Sequence, residues 1–110
     1  MILADGPILC TLFLAGKLTK HISDLTVANG MGWSLDNRKM FFIDTAPRKV
    51  YAFDYDLQEG TLSNQSVLVD YAQDDGLGVP DGMCVDAEGR LWVCGFYGPG
   101  VTCFDPETGK

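Results

Sequence analysis

The most constraining feature of this chain is an internal repeat of about 50 residues. Residues 29–33 (NGMGW) match residues 81–85 (DGMCV) at a shift of 52, and residues 40–43 (MFFI) match residues 91–94 (LWVC) at a shift of 51. A single deletion explains the change of shift. Self-similarity at a fixed period is typical of architectures in which each unit buries its apolar faces against the neighbouring units. The repeat therefore predicts a chain built from stacked, similar units.

Short apolar runs separated by glycine, proline, asparagine and aspartate follow one another along the chain, and none has the spacing of a substantial helix. We therefore expect an all-β, antiparallel and turn-rich fold. Two runs, residues 40–43 and 91–94, are continuously apolar, which predicts strands buried on both faces. The predicted strands cover residues 8–13, 17–22, 40–43, 50–55, 66–71, 91–94 and 101–104.

A repeat of about 50 residues carrying four short strands has the size of one blade of a β-propeller. Propellers close around their axis with about four to eight blades, and this chain of 110 residues is long enough for about two. We expect a partial arc of a β-propeller, with the end of one blade in residues 1–28, a second blade in residues 29–80 and part of a third in residues 81–110. A small β-sandwich whose repeats arose by chance is the alternative.

Asn29 and Asp81 occupy the same position in successive repeats, which we expect to lie immediately before the innermost strand of each blade. Taken singly, Asn-Gly and Asp-Gly are hairpin-turn dipeptides. In a propeller arc, however, both side chains would project near the mouth of the central channel. Carboxylate and amide oxygens are ligands that Ca²⁺, Mg²⁺ or Mn²⁺ accept. The repeat therefore predicts a divalent metal site at this pair, with Gly30 and Gly82 leaving the approach uncrowded and letting the backbone turn sharply.

The other polar and aromatic candidates have simpler explanations. Asp36, Asp86 and Glu88 fall in the first hairpin turn of each repeat, at the opposite end of the strand from the predicted metal site, and we expect them to be solvated turn residues. His21 has no Ser or Cys partner suggested by spacing, which disfavours a Ser–His–Asp mechanism. Six aromatic residues are predicted to pack between blades: Trp33, Trp92, Phe41, Phe42, Phe53 and Phe104.

The charge and cysteine content narrow the partners and the compartment. Fifteen acidic against eight basic residues give a formal net charge of −7, which argues against nucleic acid and anionic membranes as partners. Cys10, Cys84, Cys94 and Cys103 form no CxxC pair, and we expect free, buried thiols, with two disulfides as the alternative. The apolar stretch at residues 8–15 is too short to cross a bilayer. We expect a cytoplasmic protein.

Three segments of the chain resemble the regucalcin and gluconolactonase family, which includes senescence-marker and luciferin-regenerating relatives. These segments are residues 29–36 (NGMGWSLD), 50–56 (VYAFDYD) and 79–93 (VPDGMCVDAEGRLWV), and the similarity runs from about Ile8 to Lys110. The resemblance implies a six-bladed propeller of which this chain is a part. It also implies that Asn29 and Asp81 bind a divalent metal ion (calcium, zinc, manganese or magnesium), with Asp81 as the catalytic base.

The function that the resemblance implies is metal-dependent hydrolysis of aldonolactones such as gluconolactone, so the expected small-molecule partner is a sugar lactone. A calcium-binding regulatory protein that modulates other enzymes is the alternative, and a truncated product without a stable function is a third possibility. The family's third metal-binding residue, a Glu, and its substrate-binding Arg and Asn correspond to positions upstream of Met1. We therefore expect this chain alone to be catalytically poor or inactive, and its open edges to favour self-association.

Overall fold

The computed structural model describes residues 20–110 in full and, upstream of them, the strand backbone of residues 2–3, 8–14 and 17–19. These residues form three antiparallel sheets. No helix in the described part of the chain is long and apolar enough to cross a membrane. The first sheet contains β1 (Ile2–Leu3), β2 (Ile8–Leu14) and β3 (Lys17–Leu25); the middle sheet contains β4 (Ala28–Trp33), β5 (Lys39–Asp44), β6 (Lys49–Asp56) and β7 (Thr61–Asp70); the third contains β8 (Val79–Val85), β9 (Leu91–Phe96) and β10 (Gly100–Phe104).

Within each sheet the strands are ordered as they follow in the chain, so every strand pairs with its sequence neighbours. The prediction of an all-β, antiparallel fold is confirmed, and each of the seven predicted segments lies largely within an observed strand. Two strands that contain Asn-Gly or Asp-Gly, β4 and β8, were not predicted, because these dipeptides favour turns. Two short 3-10 helices, Tyr71–Gln73 and Asp75–Leu77, connect the middle sheet to the third.

The strand register follows the sequence repeat. Met31 lies opposite Phe42 in the middle sheet, and its repeat partner Met83 lies opposite Val93 in the third sheet. The shifts of 52 and 51 found in the sequence therefore correspond to equivalent positions on two successive sheets. The division of the chain into blades after residues 28 and 80 stays a prediction.

Strand β5 is buried on both faces, as its continuous apolar sequence predicts. Met40 and Phe42 belong to a cluster that includes Ile22 of the first sheet. Phe41 and Ile43 point the other way, into a cluster that includes residues of the third sheet. The side chains of this strand therefore join the three sheets into one packed body. Complete burial of one such side chain contributes about 1.5–3 kcal/mol.

The third sheet is buried on one face only, so the prediction that residues 91–94 are buried on both faces is wrong. Leu91 and Val93 are fully buried against the middle sheet, whereas Trp92 and Cys94 on the opposite face are exposed. Trp92 occupies the position that the buried Phe41 has in β5, and both side chains are large and aromatic. The two differ in exposure because a further sheet covers Phe41 and no sheet among the described residues covers Trp92.

Exposed cysteine and tryptophan side chains correct two further predictions. The thiols of Cys84, Cys94 and Cys103 are free, as expected, but the first two are exposed and the third is only half-buried; the side chain of Cys10 lies outside the described residues. Among the six aromatic residues predicted to pack between blades, the four phenylalanines are buried, while Trp33 is 40% exposed and Trp92 is 38% exposed. Self-association through open edges stays a prediction. The exposed face of the third sheet, which carries Trp92, is a further surface available for it.

The inner strands β4 and β8 approach each other closely at Gly30. A Cβ atom built on Gly30 would lie 2.8 Å from the backbone nitrogen of Met83 and 2.9 Å from the backbone oxygen of Asp81. A Cβ atom on Gly82, the repeat partner of Gly30, would meet nothing within 4 Å. Glycine is therefore required by space at one of the two equivalent positions only.

This difference makes Gly30→Ala and Gly82→Ala a matched pair of variants. We expect Gly30→Ala to lower the free energy of unfolding by about 1–3 kcal/mol, because the added methyl group meets backbone atoms that must move. We expect Gly82→Ala to stay within about 0.5 kcal/mol of the wild type. Urea unfolding followed by circular dichroism measures both, and equal destabilisation by the two substitutions would contradict the close approach at Gly30.

Tyr71 follows β7 directly and its side chain is completely buried. Its ring packs against that of Phe104, with 5.9 Å between the ring centroids. Within residues 20–110 its hydroxyl has no hydrogen-bond partner. Burial raises the pKa of Tyr71 from its ordinary value of 10.0 to about 12, because the charged phenolate is poorly solvated there.

The Tyr71→Phe variant tests this burial through the pH dependence of stability. In the wild type the unfolded chain ionises Tyr71 near pH 10 while the folded chain holds the proton to about pH 12. The contribution of Tyr71 is therefore complete below pH 10 and is lost as the pH rises through that window. We expect Tyr71→Phe to lose less stability than the wild type between pH 10 and 12, measured by urea unfolding. Tyr97→Phe, at an exposed tyrosine, is the control and should decline in parallel with the wild type.

Candidate metal centre

The two residues predicted to form a metal site are in direct contact. Asn29 lies in β4 and Asp81 in β8, the inner strands of neighbouring sheets. The side-chain nitrogen Nδ2 of Asn29 donates a hydrogen bond to Oδ1 of Asp81. Both residues are half-buried. The structure thus brings together an amide and a carboxylate that are separated by 52 positions in the sequence.

Each of the two side chains sits on a β-bulge. In β4, residues 29–30 face the single residue Ile43 of β5, and in β8, residues 81–82 face the single residue Cys94 of β9. A bulge adds one residue to a strand, bends it and re-aims a side chain. The expectation that these residues precede the innermost strand is therefore wrong: they lie within that strand, at equivalent irregularities in two successive repeats.

The glycines that follow the pair do not form a turn. Among the described glycines, those with a left-handed φ are at positions 60, 78, 89, 100 and 109, so the prediction that Gly30 and Gly82 turn the backbone sharply is wrong. A side chain on Gly30 would collide with the backbone of β8 next to Asp81, whereas one on Gly82 would meet nothing within 4 Å. That the two glycines leave the approach of an ion uncrowded stays a prediction.

A turn between β5 and β6 holds the backbone on both sides of the pair. Asp44, which is 4% exposed, accepts hydrogen bonds from the backbone N–H groups of Thr26 at 3.0 Å and Val27 at 2.7 Å. The backbone N–H of Thr45 donates to the carbonyl of Val27 at 2.8 Å. The hydroxyl of Thr45 donates to the carbonyl of Pro80, also at 2.8 Å.

Arg48 from the same turn holds the connection that leads into β8. Its guanidinium donates to the carbonyl of Gly78 through Nε at 3.1 Å and through Nη2 at 2.9 Å, and to the carbonyl of Tyr71 at 3.0 Å. It also forms an ion pair with Asp75 at 3.3 Å. Gly78 has a φ of 80° and lies against the backbone of β9, where no side chain would fit.

Sequence analysis did not identify Asp44, Thr45 or Arg48. The repeat directs attention to positions that recur, and the positions equivalent to Asp44 and Thr45 in the next repeat are Gly95 and Phe96. The sequence signal that could have identified them is the polar pair Asp44-Thr45 at the end of an otherwise apolar strand, where the next repeat has Gly95-Phe96.

The donor chemistry of the pair fits a divalent cation that prefers oxygen ligands, because a carboxylate and an amide oxygen can be presented from adjacent strands. The pair supplies only two protein ligands. Within residues 20–110 there is no group of three or more His, Cys, Asp or Glu residues placed to hold a metal ion. The described part of the chain would therefore supply two of the ligands that such an ion needs.

The acidic residues of the hairpin turns lie elsewhere and have structural partners. Asp86 accepts hydrogen bonds from the indole Nε1 of Trp92 at 2.8 Å and from Nε of Arg90 at 2.9 Å, which lower the pKa of its carboxyl group together with backbone N–H groups. Asp36 accepts from the hydroxyl of Ser34 at 2.7 Å, which is the main cause of its lowered pKa. The prediction of a plain solvated residue is wrong for Asp86, whose partners fold its turn.

His21 lies in β3, and its buried Nε2 has no hydrogen-bond partner among the described residues. The described residues thus offer no hydrogen-bond partner to this nitrogen.

Comparisons with known proteins agree on one family. Residues 4–110 match the family model described as the SMP-30/Gluconolactonase/LRE-like region. Regucalcin from Xenopus laevis is 45% identical over 102 residues, which cover 93% of this chain and 33% of the relative.

Two solved structures extend the agreement to the fold. A luciferin-regenerating enzyme aligns with a TM-score of 0.86 at 34% identity, over 93% of this chain and 33% of the enzyme. A gluconolactonase from Xanthomonas campestris aligns with a TM-score of 0.76 at 28% identity, over 97% of this chain and 35% of that protein. The prediction of a partial propeller arc is confirmed, and the chain spans about a third of the length of the relatives it matches. The chain therefore belongs to the SMP-30/gluconolactonase/LRE-like family.

Proposed function

We propose that this chain carries part of the active site of a divalent-metal-dependent lactonase that acts on aldonolactones such as gluconolactone. The observation that carries the proposal is the side-chain contact between Asn29 and Asp81 on equivalent bulges of two inner strands. The name of the similar protein from Xanthomonas campestris, a gluconolactonase, supports the same reaction class.

In this proposal Asn29 and Asp81 hold the ion through their side-chain oxygens, and calcium, zinc, manganese and magnesium are the candidates. When bound, such an ion polarises a carbonyl group and lowers the pKa of water. Asp81 accepts a proton from the water that attacks the lactone carbonyl. The ring C–O bond then breaks, and the proton passes to the leaving alkoxide to give the open-chain acid. Before the ion binds, the amide of Asn29 donates to Asp81 and fixes the orientation of that carboxylate.

The proposal also includes a limit on this chain alone. Two protein ligands bind a cation more weakly than a complete coordination sphere, because water must fill the remaining positions and the site stays open to solvent. We therefore propose that efficient turnover requires further ligands, supplied by the remainder of a longer protein or by association of copies.

The alternative function is a calcium-binding regulatory protein that modulates other enzymes. The similarity to regucalcin at 45% identity favours it, and the same pair of side chains would bind the ion. The two functions differ in their readout, since regulation requires calcium binding without lactone turnover.

The metal site is tested by titrating the chain with Ca²⁺ in a calorimeter. We expect weak, saturable binding at one site, lost in Asp81→Asn because the variant removes the only carboxylate of the pair. Glu59→Gln is the matched control: it removes the same charge from an exposed turn and should bind Ca²⁺ like the wild type. Equal binding by wild type and Asp81→Asn would rule out the assignment.

The reaction is tested with gluconolactone in the presence of Ca²⁺, Mn²⁺, Mg²⁺ or Zn²⁺ and with EDTA as the metal-free control. We expect slow hydrolysis that depends on added metal and is lost in Asp81→Asn. Calcium binding without any turnover would mean either that catalysis requires the further ligands or that the function is regulatory. Hydrolysis above the uncatalysed rate that is insensitive to EDTA would contradict a metal-dependent lactonase.

A further inference from the structure

We propose that Thr45 is a positioning residue that sets the separation of Asn29 and Asp81 by bonding to the backbone just before β4 and to the start of β8. The proposal rests on the proposed function for its meaning in metal binding. Its structural part, that one residue holds the pair in contact, concerns only residues of this chain.

The contacts of Thr45 reach both sides of the site. Its backbone N–H donates to the carbonyl of Val27, two residues before Asn29, at 2.8 Å. Its hydroxyl donates to the carbonyl of Pro80, the residue directly before Asp81, at 2.8 Å. One half-buried residue therefore links the backbone before β4, through its N–H, to the start of β8, through its hydroxyl.

These bonds lie where the sheets themselves provide least support. Both inner strands lose regular pairing at their bulges, which begin after Ala28 and after Pro80. Strands β4 and β8 belong to different sheets, so no ladder of hydrogen bonds fixes one relative to the other. The hydroxyl of Thr45 supplies a fixed point beside Asp81 at the position where the ladder is interrupted.

The turn that carries Thr45 is itself firmly held. The carbonyl of Thr45 accepts a hydrogen bond from the backbone N–H of Arg48 at 3.0 Å. The neighbouring Asp44 accepts two backbone hydrogen bonds from the segment before β4. The guanidinium of Arg48 holds two carbonyls of the connection before β8. Displacing Thr45 would therefore break contacts on both sides of the turn.

The internal repeat shows that a sheet of this kind does not need Asp44 and Thr45 for its own strand pairing. In the third sheet the positions of Asp44 and Thr45 are taken by Gly95 and Phe96, yet β9 pairs with β8 and β10 in the same way as β5 pairs with its neighbours. A blade of this kind therefore forms without the pair. Its presence at the end of β5 and not at the end of β9 points to a local task, which is to hold the two site strands.

The test compares Thr45→Val, which keeps the branched shape and loses the donor, with Thr45→Ser, which keeps the hydroxyl. Thr61→Val, at an exposed residue at the start of β7, is the matched control. The first readout is the NMR signal of the Asn29 side-chain amide in metal-free chain, because that amide is bonded to Asp81. The second is the affinity for Ca²⁺.

We expect Thr45→Val to shift the Asn29 amide signal towards that of a free amide and to weaken Ca²⁺ binding about 10-fold, the scale found for residues that orient metal ligands. Thr45→Ser should retain both properties. Thr45→Ala replaces Thr45→Val if the latter fails to give a dispersed spectrum. An unchanged Asn29 signal in the variants without the hydroxyl, or an equal shift in Thr45→Ser, would overturn the proposal.

The two proposals can fail separately. If Asp81→Asn leaves Ca²⁺ binding unchanged, the metal site is wrong, whatever the behaviour of Thr45. The Asn29 amide signal still decides whether Thr45 holds the pair, since that signal is measured without metal.

Discussion

Burial of β5 on both faces is the constraint on which the rest of the structure depends. A sheet in this arc has two apolar faces and can cover neither by itself. Met40 and Phe42 are covered by the first sheet, and Phe41 and Ile43 by the third. Because these side chains alternate along one strand, the sheets on its two sides are held at fixed distances from it. The end of β5 consequently emerges at a defined point between the two inner strands.

The candidate site lies at that point, and it depends on backbone irregularity supported by a regular core. The bulges turn Asn29 and Asp81 out of the ladder, while the absence of a side chain at Gly30 allows β8 to lie against β4. A half-buried carboxylate needs hydrogen-bond partners, and the amide of Asn29 provides one. Packing brings the strands together, and the polar contacts then select one arrangement of their side chains.

The sequence was sufficient to predict those features that recur. The repeat identified the propeller arc and, through equivalence of position, the residues Asn29 and Asp81. It did not predict β4 and β8 as strands, because Asn-Gly and Asp-Gly carry a strong local preference for turns that the sheet overrides with a bulge. Exposure of Cys94 was also missed, since an apolar run does not reveal whether a second sheet covers it.

Residues that support the site escaped sequence analysis for a different reason. Asp44, Thr45 and Arg48 bond mainly to backbone carbonyls and N–H groups. Every residue type has such backbone groups, so the partner residue carries no recognisable side-chain signal in the sequence. These three residues also lack counterparts in the next repeat, so an argument from equivalence passes over them. In this chain the recurring positions carry the candidate pair, whereas the residues that hold the pair depart from the repeat.

The hydrogen bond between Asn29 and Asp81 also bears on the strength of the proposed metal site. For the amide oxygen of Asn29 to face the same cation as the carboxylate, the Nδ2 group must turn away from Asp81. A hydrogen bond to a charged group is worth about 1.5–3 kcal/mol, which corresponds to a factor of roughly 10 to 100 in affinity. Binding of a cation must exceed this competing contact. A site with two ligands is therefore weakened twice, by the water that completes its coordination and by the partner each ligand must give up.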